Sequence, residues 1–75
     1  MVNYREYIVV DSTIRFGRPC IINTRIAVED ILGWLAIGMS IEEIIIDFPE
    51  LNKEKILASI GYVADRERKV RIIAV

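Results

Sequence analysis

One cysteine and no histidine in 75 residues narrow the folds open to this chain. A domain so short buries only about 60% of the surface its unfolded form exposes, so its own core holds it together poorly. The usual reinforcements are disulfides, a structural metal or a second chain. Cys20 has no partner for an internal disulfide, and with no histidine beside it a zinc site is excluded. Yet 53% of the residues are hydrophobic, and mean hydropathy is +0.37. That is more apolar surface than a lone domain of this size hides, and it points to self-association, expected as a homodimer.

The apolar run Ile31 to Met39 falls far short of the roughly 18 residues a membrane span requires. Met1 to Asp11 lacks the basic start and long apolar core of a secretion signal. With one unpaired cysteine, the expectation is a soluble cytoplasmic protein with no membrane partner. The net charge of −1 conceals a segregated pattern. Residues 1–27 carry four basic and two acidic side chains, residues 28–52 six acidic and no basic ones, and residues 53–75 six basic and three acidic ones. Such segregation suggests a directional surface.

Along the chain, Tyr7 to Val10 is rich in β-branched and aromatic residues and reads as a strand. Asp11 to Pro19 has loop composition, and Cys20 to Ile26 reads as a second short strand, with Asn23 at a left-handed or bulged position. At Val28 the period becomes helical: Val28, Ile31, Leu32 and Leu35 share a face, Glu29 and Asp30 lie in the first turn, and Gly38 is a natural stop. Ser40 and Glu43 form a capping box, with Met39 and Ile44 at the staple positions, so a second helix spans Ile41 to about Asp47 and ends before Pro49. Asn52 caps a third helix, stapled by Leu51 and Ile56. Its expected core face is Ile56, Leu57, Ile60, Val63 and Ala64.

The expected architecture is a mainly α single domain. A short β-ribbon (1–27) precedes a three-helix bundle (28–69), and an apolar strand or tail (70–75) closes the chain. Helices this short do not stand alone.

Catalysis finds little support. Without histidine the commonest general base near neutral pH is missing. Cys20 in an apolar strand reads as a buried structural thiol rather than a nucleophile. Glu43 and Asp47, four apart on the second helix, suit a magnesium ion, but a solvated acidic face with a capping box accounts for them. No glycine-rich phosphate loop occurs, so the expectation is a non-enzyme with no cofactor, no metal and no small-molecule substrate.

Binding has more to work with. The second helix, a turn over Phe48–Leu51 and the third helix have the lengths of a helix–turn–helix. Opposite the expected core face, the third helix carries Lys55, Ser59, Tyr62, Arg66 and Lys69, side chains suited to phosphate or base contacts in DNA. An ordinary solvated face explains the same residues, since Arg66 and Lys69 suit the helix C-terminus. Glu54, Asp65 and Glu67 dilute the positive field, and the acids of the second helix repel phosphate. The competing use of the surface is protein binding. Trp34 falls off the Leu32/Leu35 direction, Ile37, Ile45 and Ile46 widen the apolar stripes, and Val70–Val75 suits a docking strand. Tyr7, Val9, Trp34, Ile72 and Val75 are the expected dimer or partner contacts.

The stretch from Gly17 to Ala64 resembles the prokaryotic family of domain of unknown function 433, grouped with VapB-type antitoxins. Gly17 and Pro19 match its pattern, as do Thr24, Arg25, Ile26 and Val28. Gly38, Ser40, Glu42, Glu43 and Ile44 follow, then Asp47, Pro49 and Leu51, and finally Ile56, Ala58 and Tyr62. Phe48 replaces a tyrosine, Asn23 a glycine and Ala27 a proline of that pattern. The resemblance implies a homeodomain-like core with a ribbon often intertwined between subunits. It also implies a toxin–antitoxin role, in which the chain neutralises a PIN-like ribonuclease toxin and binds its own operator DNA. Arg25, in the Thr-Arg-Ile triplet, is expected to brace the ribbon by pairing with Glu29 or Asp30. The alternative to the antitoxin role is a homodimeric protein-interaction module of the same fold without nucleic-acid binding.

Overall fold

The computed structural model describes the backbone of residues 3–74 and the side-chain surroundings of residues 3–68. It is mainly helical, with a small two-stranded antiparallel sheet near the N-terminus. In chain order come a 3-10 turn (Tyr4–Glu6), β1 (Ile8–Val9), a second 3-10 turn (Arg15–Gly17), β2 (Cys20–Ile21), α1 (Val28–Ala36), α2 (Ile41–Asp47) and α3 (Lys53–Ala74). Ile8 pairs with Ile21 and Val9 with Cys20.

The strands are shorter than the sequence pattern suggested because local turns claim their ends. Thr24 Oγ1 donates to the Ile21 carbonyl at 2.9 Å and accepts from Ile26 N–H at 3.0 Å, closing a tight turn right after β2. Asn23 sits at its apex with φ 62°, the left-handed geometry expected of it. The turn folds the chain back so that Cys20 bridges to Ala27.

The three helix starts and the stop of α1 have local chemical causes. Ala27 offers no capping side chain to α1, and Asp30 compensates by accepting the Ala27 N–H at 3.0 Å. Gly38, at φ 100°, ends α1: Gly38 N–H reaches Leu35 O and Met39 N–H reaches Trp34 O, each at 3.0 Å, a Schellman closure. In α2 both halves of the capping box form, Glu43 N–H to Ser40 Oγ at 3.1 Å and Ser40 N–H to Glu43 Oε1 at 2.9 Å. Asn52 Oδ1 accepts Lys55 N–H at 2.8 Å and starts α3.

Every layer contributes to one core. Ile21 from β2, Ile31 from α1, Ile44 from α2, Leu51 from the turn and Ile56 from α3 form its buried cluster. Trp34 and Phe48 stack beside it, centroids 4.2 Å apart and planes 11° apart. Trp34 is therefore half-buried within the subunit, packed against the core.

Two corrections concern α3. The expected strand or tail over residues 70–75 is instead helix as far as Ala74, while Val75 lies outside the described residues. No glycine or proline follows Gly61 to stop the helix, and the run Arg66–Lys69 consists of good helix formers. The helix is also rotated about its axis from the orientation its apolar pattern predicts. Ile56, Ala58 and Ser59 are wholly buried, whereas Leu57, Ile60 and Ala64, expected inside, are exposed.

Candidate functional site

The rotation of α3 creates the most distinctive surface of the molecule. Ser59 tolerates burial because its hydroxyl donates to the Lys55 carbonyl at 3.1 Å, leaving no polar atom unsatisfied. On the flank beside Gly61, the N-terminal 3-10 turn packs against the helix. Asn3 caps that turn by accepting Arg5 N–H at 3.1 Å, and Tyr4 reaches across sixty-one positions of sequence to donate its hydroxyl to Asp65 Oδ2 at 2.5 Å. Its ring meets Tyr62 edge-on, with centroids 5.7 Å apart.

With those neighbours occupying its inner side, α3 presents Leu57, Ile60 and Ala64 outward. Leu57 is 36% exposed and Ile60 40%. They line an open groove of about 690 Å³ with Tyr4 and Gly61 at one wall and Asp65 and Arg68 toward its far end. An apolar strip with polar rims is the composition of a protein-binding surface.

The residues expected to face DNA do not form one free face. Ser59 is buried, which corrects its expected outward orientation. Lys55 is half-buried, and its Nζ donates to the Glu50 carbonyl at 2.8 Å. Tyr62 is half-buried against Tyr4, and the exposed Arg66 lays its guanidinium 5.6 Å from the Tyr62 ring centroid. Tyr62 and Arg66 border a separate cleft of about 380 Å³ with Arg18 and Leu32. The Lys69 side chain lies outside the described residues.

Among the expected partner contacts, Tyr7 and Val9 are half-buried around β1. Ile72 falls on the helical backbone of α3, but its side chain and Val75 lie outside the described residues. Ile37 and Ile46, each 78% exposed, remain outward, while Ile45 packs against the core.

The ribbon is braced by arginines other than the one singled out from the sequence. Arg15 Nη1 donates to Asp30 Oδ2 at 3.0 Å and to the Arg25 carbonyl at 2.9 Å, and Arg18 pairs with Glu29. Arg25 thus contributes its backbone while its side chain is exposed. The loop that delivers Arg15 is unusual. Arg15, Phe16 and Gly17 all have positive φ, of 49°, 58° and 82°, and the Phe16 ring is 99% exposed. Left-handed geometry is uncommon for bulky residues, and this loop is the strained part of the described backbone. Gly17 signalled a turn in the sequence; nothing there signalled that the preceding phenylalanine would stand in solvent.

Cys20 is buried, and desolvation pushes its thiol pKa up, with Arg15 opposing that shift. Glu43 turns its carboxylate back on Ser40, and no group of three or more metal-ligating side chains gathers among the described residues. No described helix is long and apolar enough to cross a membrane.

A family model described as "Protein of unknown function (DUF433)" matches residues 8–63, from β1 to the middle of α3. Among solved structures, the crystal structure of a DUF433 member protein from Anabaena variabilis ATCC 29413 is similar, with 27% sequence identity and a TM-score of 0.77. The match covers 97% of this chain and 77% of that one. Comparison with curated proteins gave no match.

Proposed function

Since the chain belongs to the DUF433 family, a description that assigns no activity, we propose its function from its exposed chemistry: it is a self-associating protein-interaction module. The observation that carries this reading is the outward strip Leu57, Ile60 and Ala64 on α3. Leaving these aliphatic groups in water costs free energy that a second protein surface recovers, at about 25 cal/mol for each Å² of apolar area covered. Phe16 offers a second point of attachment. An aromatic ring standing in solvent resembles the anchors that dominate interfaces.

Sedimentation equilibrium of the full chain at micromolar concentration tests the proposal. A dimer or larger assembly is expected. A folded monomer that stays monomeric, and that forms no heteromer when co-expressed with the product of the adjacent gene, overturns it.

Operator binding in an antitoxin role, with a PIN-like ribonuclease as partner, is the second reading. What favours it is the succession of α2, a short turn and α3, with Arg66 exposed beyond the turn. What weighs against it is the burial of Ser59 and the engagement of Lys55 and Tyr62 within the subunit. A gel-shift titration against the upstream DNA separates the two. Binding that weakens steeply between low and moderate salt supports the operator reading, and absence of binding at low salt removes it.

A further inference from the structure

Resting on the self-association just described, we propose that the occupant of the α3 groove is α3 of a second copy, laid antiparallel about a twofold axis near Ile60. The spacing of the outward residues comes first. Lys53, Leu57, Ile60, Ala64 and Glu67 recur at alternating intervals of four and three, the seam of a helix pair, and all five are exposed. The seam is apolar at its centre and carries opposite charges at its ends, Lys53 before Leu57 and Glu67 after Ala64.

That polarity selects a direction. When two copies run antiparallel, Lys53 of each meets Glu67 of the other, and Leu57 meets Ala64. Both matches share the same midpoint to within a residue, so one register satisfies both. The flank toward Gly61 behaves alike: in that register Glu54 approaches Arg68 of the other copy, because a twofold axis perpendicular to the helices brings like flanks together. A parallel pair would set Lys53 against Lys53 instead. Size agrees with charge, since the small Ala64 leaves room for Leu57. Lys53, Glu54, Glu67 and Arg68 form no ion pairs within the described part of the subunit, so their charges are available to a partner. An unrelated helix would match the apolar centre, but it has no reason to match both ends and the flank.

The test uses sedimentation equilibrium on the full chain at low salt, with far-UV circular dichroism to verify folding. Ile60→Glu changes an exposed side chain and is expected to give a folded monomer. Lys53→Glu and Glu67→Lys are each expected to raise the dimer dissociation constant about fivefold, and the double reversal to restore it. Rescue by the double variant supports the antiparallel pairing. Three results overturn it: a dimer that survives Ile60→Glu, single reversals without effect, and a double variant weaker than either single one. In each of these the wild-type chain still self-associates, so the interaction-module reading stands while the α3 pairing fails. Groove occupancy by a different protein, with a monomeric wild-type chain on its own, also overturns the pairing.

Discussion

Ser40 and Glu43 show how much a pair of side chains three positions apart can settle. Each accepts the other's backbone N–H, so two donors at the start of α2 are satisfied without water. Ser40→Ala is expected to cost about 1 kcal/mol in chemical denaturation. The Ser40 N–H, and then its hydroxyl bond, hold the Glu43 carboxyl below its usual pKa. A lowered folded-state pKa means that this contribution is complete above the ordinary glutamate range and is lost as the pH falls through that range and below it. Glu43→Gln should therefore flatten the stability–pH profile on the acid side; an unchanged profile would show that the bond contributes nothing. The capping pair was legible in the sequence because its partners are neighbours. The arginine braces were not. Thr-Arg-Ile drew attention to Arg25, yet Arg15 and Arg18 reach Asp30 and Glu29, because the turn at Asn23–Thr24 folds the earlier loop across the start of α1.

At the scale of elements, the helix starts and the stops of α1 and α2 followed from single residues, while the facing of α3 did not. Its pattern permits two inward orientations, since aliphatic residues occur around most of its circumference. Ile56, Ala58 and Ser59 were chosen for the interior, and the small side chains at 58 and 59 let neighbouring elements come close. Ser59→Leu distinguishes the two orientations. On an outward face it would be nearly neutral; in the buried position it is expected to destabilise the fold by about 1–3 kcal/mol through overpacking, measured by urea titration. Tyr4 illustrates the same limit. Nothing near it in sequence announces Asp65, and only the packed 3-10 turn brings the two hydroxyl and carboxylate oxygens within 2.5 Å.

At the scale of the molecule, the buried cluster among the described residues is small: four isoleucines and a leucine, supported by half-buried neighbours. A core of that size leaves little stability in reserve, and covering Leu57 and Ile60 would supply more. The midpoint of thermal unfolding is therefore expected to rise with protein concentration, as it must when folding and association are linked. A midpoint constant over a hundredfold range of concentration would separate stability from assembly.

Composition alone established that no internal disulfide or histidine-bearing metal site reinforces this chain, and local motifs alone placed the caps, the turns and most of the helix boundaries. These are properties of residues close together in sequence, where the covalent chain already supplies the proximity that the chemistry needs. Which face of α3 turns inward, which arginines meet the acids of α1 and which apolar residues stay exposed were decided by tertiary packing. Each depends on elements far apart in the chain, and a periodic pattern that admits two solutions is resolved only when the neighbouring layers compete for the same helix face.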